Sequence, residues 1–136
     1  MTNNKERLFR PEYAGELFKI ALSDLQSATL LNSTGVARPE TILFHVQQCI
    51  EKSLKAVLCH LRIPIPLVHD IGALLGKIDE KQFPPHGYDL TDFNDYAGIR
   101  RYEEGEFEIT QADIDAAIKM GSEVTKWAEL LIHPEK

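Results

Sequence analysis

An excess of basic charge is the first thing missing. Across 136 residues, 21 acidic side chains face 15 basic ones, leaving a net charge of −6 without any block of like charge. Duplex nucleic acid is normally held by a basic face, so general duplex binding is not expected, although a small basic pocket inside an acidic surface is compatible with this balance. Cysteine is nearly absent: Cys49 and Cys59 are the two. They fall in one helical segment about 15 Å apart along its axis, too far for a mutual disulfide. There is no CxxC and no Cys/His cluster with zinc spacing, so both read as packing thiols. No run approaches the ~18 apolar residues that span a bilayer, and MTNNKERLFRPEY has no leader-like apolar core. The chain is expected to be soluble and cytoplasmic, with no membrane partner.

Other absences exclude chemistry. No Gly-rich phosphate loop or GxSxG elbow occurs. A carboxylate di-metal centre needs inward-facing Glu-x-x-His pairs, and the nearest candidate, Glu129 with His133, is one residue too wide. No catalytic residue, metal or cofactor is therefore predicted. Alternating strand patterns and internal repeats are missing as well.

What remains is helical periodicity. Ala14, Leu17, Phe18, Ala21, Leu25 and Ala28 are spaced as on one helix face and predict a helix over Glu12–Leu31. NSTGVARP interrupts it. Pro39 suits the first turn of a second helix, running to Leu61 with Leu43, Val46, Ile50, Leu54, Val57 and Leu61 as its buried stripe. Pro64 and Pro66 forbid helix and set an extended connector. A short helix follows over His69–Ile78, with Ile71, Leu74 and Leu75 inward, and Asp70 suits its start. KQFPPHGYD reads as irregular, and Leu90–Ile99 as a shorter helical stretch. Thr110 with Asp113 resembles a capping box opening a last helix, whose inner face is Ile114, Ala117, Ile118, Gly121, Val124, Ala128 and Leu131. Ala117, Gly121 and Ala128 form a small-residue track, read as close packing within the chain, with a dimer seam as the alternative. The prediction is one all-α domain over residues 1–136, an antiparallel up-down helical bundle of four main helices plus a short extra helix, with residues 1–11 as a flexible tail.

The second helix raises a question. Gln48, Glu51, Lys52 and Lys55 fall within an arc of about 100° at 100° per residue. Glu51 stands one turn before Lys55, the favourable order for an ion pair. An ordinary solvated face explains that strip, and so does the wall of a site. Two more clusters favour a site: His69-Asp70 after the connector, and YAGIRRYEEGEF, where Arg100 and Arg101 sit beside Tyr96 and Tyr102. Adjacent arginines next to aromatics suit a planar anion or a base stacked near phosphate. Glu103, Glu104 and Glu106 supply the plainer reading, that they neutralise those arginines.

FHVQQCIEKSLKAVL, PLVHDIGALL and YAGIRRY, preceded by FKIALSDLQSATLL with Asp24, resemble in order and spacing the successive signatures of the HEPN domain family. The resemblance runs from about Leu17 to Leu131. It implies a helical bundle that is usually homodimeric. In the branch with an RY pair it implies a nucleotide- or substrate-binding module that works with a minimal nucleotidyltransferase in a toxin–antitoxin-like pair. Other branches are metal-independent ribonucleases marked by Arg-x4–6-His. Counting from Arg100 or Arg101, that histidine should fall among Gly105, Glu106, Phe107 and Glu108, and none is histidine. Arg38–His45 and Arg62–His69 satisfy the spacing only formally, away from the motif's position. Proton transfer or charge stabilisation at a scissile phosphate needs that histidine, and carboxylates there repel RNA. The implied function is a non-catalytic binding module whose ligand groups are Glu51, Lys52, Lys55, His69, Asp70, Arg100, Arg101 and Tyr102. The alternative is an RNA-binding or ribonuclease toxin with a degenerate site.

Overall fold

Three helices of 22 residues each carry the architecture: α1 (Tyr13–Thr34), α2 (Pro39–His60) and α4 (Gln111–Ile132), with the five-residue α3 (Ile71–Leu75) between the last two. The structure is a computed structural model whose described residues are 5–97 and 108–134. Gly35 ends α1 in the left-handed region (φ 73°), which turns its N–H back to Asn32 O at 3.4 Å. Such a stop is cheap only for glycine. Pro39 then opens α2 in its first turn, as its fixed φ permits. The short connection forces α1 and α2 antiparallel. Gln111, at the start of α4, donates to Asn32 Oδ1 near the end of α1 at 2.9 Å, and the ring of His133, just past α4, meets Phe18 near the start of α1. Thus α4 also runs antiparallel to α1. The Thr110–Asp113 capping box is present in both directions.

The fourth long element differs in kind from the sequence expectation. Gly87–Ala97 forms consecutive 3₁₀ turns rather than α-helix. GYDLTDFNDYA explains this: Asp, Asn and Thr compete for nearby backbone groups, and Gly carries a high helix cost. Thr91 Oγ1, for instance, donates to Tyr88 O at 2.7 Å. Asn94 stitches the segment to α3, accepting from Ile71 N and donating to Asp70 Oδ1. Trp127 ties α4 to the 3₁₀ turn Glu80–Gln82 through Gln82 O at 3.0 Å. Two further corrections concern extended backbone. Glu6–Arg7 (β1) pairs antiparallel with Ile65–Pro66 (β2), so a small ladder exists where no strand was expected. Residues within the segment read as a tail are consequently fastened to the connector, and Phe9 packs on the core.

α2 is the central helix, packed by α1, α4, α3 and the 3₁₀ segment. Its predicted stripe is buried, except that Leu61 is half-buried, and Ile42, Cys49, Ala56, Leu58 and Cys59 are buried too. Leu25, Ile118 and Leu131 are likewise half-buried. The free thiols pack as expected, and burial, with Asp24 nearby, pushes the Cys49 thiol up to about 12. At the end of α2, Arg62 N–H returns to Cys59 O and Ile63 N–H to Leu58 O. This places Arg62 at φ 61°, where a helix stop usually has glycine.

The small-residue track lies inside the chain. A Cβ at Gly121 would meet Leu25 Cδ1 at 3.4 Å, Val46 Cγ1 at 3.5 Å and Cys49 Sγ at 3.8 Å. Those are contacts a methyl group tolerates and a longer side chain does not. Gly121→Ala is expected to keep or raise the melting temperature, through a helix-propensity gain of up to about 1 kcal/mol. Gly121→Leu should cost about 1–3 kcal/mol by overpacking. Equal melting of wild type and the Leu variant would contradict this packing.

Candidate functional site

Because α2 is enclosed, its polar strip is not a solvated face. Glu51 has no exposed surface, while the Lys52 and Lys55 side chains are 20% and 15% exposed. Both carboxylate oxygens are filled. Oε1 accepts from Gln47 Nε2 at 3.1 Å and faces His69 Nδ1 at 3.1 Å. Oε2 accepts from Lys55 Nζ at 3.0 Å and Lys52 Nζ at 3.1 Å. Lys52 also donates to Gln48 Oε1 at 3.3 Å, and Gln48 Nε2 donates to Gln47 Oε1 at 2.6 Å. Glu51, Gln47, Gln48 and Lys52 thus close a ring. Its direction follows from chemistry: an ionised carboxylate only accepts and an ammonium only donates, so both amides must point their nitrogens toward the glutamate side. The fully buried Gln47 is satisfied at both ends, as a polar group inside a core requires.

The connector reaches the strip through one residue. His69 is 72% exposed, and its Nδ1 is its one partnered ring atom among the described residues. With the proton on Nδ1 it donates to Glu51. Asp70, predicted beside it, is placed elsewhere: its Oδ1 accepts from Gly72 N at 2.9 Å and Asn94 Nδ2 at 3.1 Å. It caps α3 and borders a groove of about 410 Å³ with Glu6 and Lys77, outside the Glu51 network. Arg100, Arg101 and Tyr102 lie outside the described residues. Four of the eight predicted site residues, Glu51, Lys52, Lys55 and His69, therefore form one cluster. A second groove of about 290 Å³, lined by Leu43, Phe93, Tyr96, Ile109 and Met120, carries the carboxylates of Asp92, Glu108 and Asp113 and, among the described residues, no cation. Among the described residues no group of three or more His, Cys, Asp or Glu side chains is placed to hold a metal, and no helix is long and apolar enough to cross a membrane.

The sequence profile of the HEPN domain matches residues 14–131, spanning α1 through nearly all of α4. The chain belongs to the HEPN domain family. No curated protein and no solved structure matches it. Within this HEPN domain the clustered residues come from two of the segments that carry the resemblance, QQCIEKSLK and PLVHD.

Electrostatics decide the state of the cluster. Burial alone would raise the Glu51 carboxyl, but Lys55 and then Lys52, with hydrogen bonds from Lys55 and Gln47, outweigh it and hold the group down to about 2. One carboxylate against two ammoniums leaves the cluster one positive charge in excess with His69 neutral. Gln47 and a second histidine–carboxylate pair, Asp24–His45, went unrecognised as site elements in the sequence. Gln47 had a signal, a polar residue on the apolar face one turn before Glu51. Asp24 and His45 each lie in a segment that carries the family resemblance, but nothing in the sequence pairs them, because their meeting is a tertiary contact.

Acid should reveal this arrangement. A carboxyl depressed in the folded state contributes stability that is complete above its ordinary value of 4.5 and drains as pH falls toward about 2. Glu51→Gln should lower stability at neutral pH by about 2–3 kcal/mol. That is less than the 3–5 kcal/mol typical of a broken buried pair, because the lysines can reach water. The variant should also lose part of the acid dependence between those pH values. Denaturant melts of both proteins at several pH values check this, and parallel pH profiles would contradict it.

Proposed function

We propose that this HEPN domain is a non-catalytic nucleotide- or substrate-binding and partner-binding module, in which the Glu51–Lys52–Lys55 strip receives a phosphate group. The observation that carries the reading is the excess positive charge held on a partly exposed face by one buried carboxylate. Phosphate rewards such a site twice, by charge and by several acceptor oxygens for ammonium donors. The chain's overall charge of −6 makes this local excess selective for a small anion over a long polyanion, which would meet the acidic surroundings. Glu51 orients the two lysines, and His69 adds a donor or acceptor at the rim. Arg100, Arg101 and Tyr102 are proposed as further ligand groups. So are a homodimer, a cytoplasmic location, and action with a minimal nucleotidyltransferase in a toxin–antitoxin-like pair. These rest on the motif order and on the family; light scattering and co-purification with such a partner test them.

Calorimetry with ATP and other nucleotides tests the ligand. Lys55→Ala should remove a charge-assisted contact worth about 1.5–3 kcal/mol, a roughly ten- to hundredfold loss of affinity, while the variant remains folded by circular dichroism. Absence of binding by wild type, alone and with its partner, would return the strip to a purely structural role.

A further inference from the structure

The polar face of α2 does not end at the lysines. His45, Gln48, Lys52 and Lys55 follow one another at spacings of 3, 4 and 3 residues, so they lie along one side of the helix. At the far end, His45 Nδ1 meets Asp24 Oδ1 of α1 at 2.9 Å. The pair is sheltered but accessible, with 26% and 19% of its side-chain surface exposed. The Phe44 ring packs edge-on against the imidazole at 5.3 Å between centroids. The Asp24–His45 pair therefore stands two to three turns before the lysines on α2, with Gln48 and the Glu51–His69 pair between them.

The chemistry of the far pair differs from that of the lysines. In the neutral ring, a carboxylate facing Nδ1 holds the proton there, which fixes the tautomer and leaves Nε2 as an acceptor. Asp24 Oδ2 is a second acceptor. That end recognises a hydrogen-bond donor such as a hydroxyl or an amino group, whereas the lysine end recognises an anion. The seven-residue step from His45 to Lys52 spans about 10 Å along the axis. A ligand with an anion at one end and donors that far away has the build of a nucleoside 5′-phosphate.

We propose that Asp24 and His45 form the nucleoside end of the ligand site, accepting from a sugar hydroxyl or base amino group while Lys52 and Lys55 hold the phosphate. Both touch ligand in this arrangement, His45 through Nε2 and Asp24 through Oδ2, while Asp24 Oδ1 also holds the imidazole in place. The proposal rests on the phosphate-binding reading above.

The test compares the four nucleoside 5′-monophosphates with inorganic phosphate, by calorimetry, on the full chain. Wild type should bind at least one nucleoside monophosphate tighter than phosphate. His45→Ala should weaken that nucleotide about tenfold and leave phosphate unchanged, whereas Lys55→Ala should weaken both. His45→Gln, which retains an acceptor, should recover part of the loss. Asp24→Asn, which releases the tautomer, should behave like His45→Ala without altering phosphate binding. If wild type binds phosphate and nucleotide equally, or His45→Ala leaves nucleotide affinity intact, the proposal falls and the phosphate site stands. An equal loss of both ligands in a folded His45→Ala variant would assign His45 a structural role and also overturn it. If wild type binds neither, both readings fall.

Discussion

A carboxylate with no access to water must be supplied with donors or it will not stay ionised. Glu51 is that group here, and much of the candidate site is the supply. Lys52 and Lys55 come from its own helix at the neighbouring and i+4 positions, Gln47 from one turn before, and His69 from the connector. Each contributor has a second consequence. The lysines are drawn onto one face with little exposure, the glutamines close a ring that allows no amide reversal, and His69 holds the end of the connector against α2 just before α3 begins. Tying Glu51 down thus positions a loop, a helix face and two cations together.

The helix that carries this network is the middle of the bundle, which is why its polar residues are costly and their arrangement specific. Had α2 lain on the surface, the same side chains would have formed an ordinary ion pair worth a few tenths of a kcal/mol. Enclosure by α1, α4 and the 3₁₀ segment converts them into a preorganised array. The array keeps an excess of positive charge on a molecule whose total charge is −6. Screening confines that excess to about 10 Å at moderate salt.

The fold was legible where periodicity and local chemistry agree. α1, α2 and α4 follow from apolar spacing, Gly35 and Pro39 from backbone geometry, and the Thr110–Asp113 box from its spacing. The 3₁₀ character of Gly87–Ala97 was not legible, because apolar spacing over so short a segment does not separate tight turns from α-helix. The Glu6–Arg7 ladder escaped because two-residue strands have no period. For the site, the strip on α2 was visible as an arc, but its burial was not. Lys and Glu on a helix usually face water, and only the number of neighbours around α2 reverses that. Asp70 was legible as a helix start but not as a neighbour of Asn94: its Oδ1 serves the start of α3 and Asn94 rather than the Glu51 network.

Lysine side-chain resonances give the most direct view of the central claim, that Glu51 holds Lys52 and Lys55 as an anion-receiving pair. With lysine labelled in its terminal carbon and nitrogen, inorganic phosphate should move the Lys52 and Lys55 signals along saturable curves with a shared midpoint. Lys19 and Lys81, on other parts of the surface, should stay in place. Uniform drift of all lysines, or stationary Lys52 and Lys55 signals at saturating phosphate, would contradict the account.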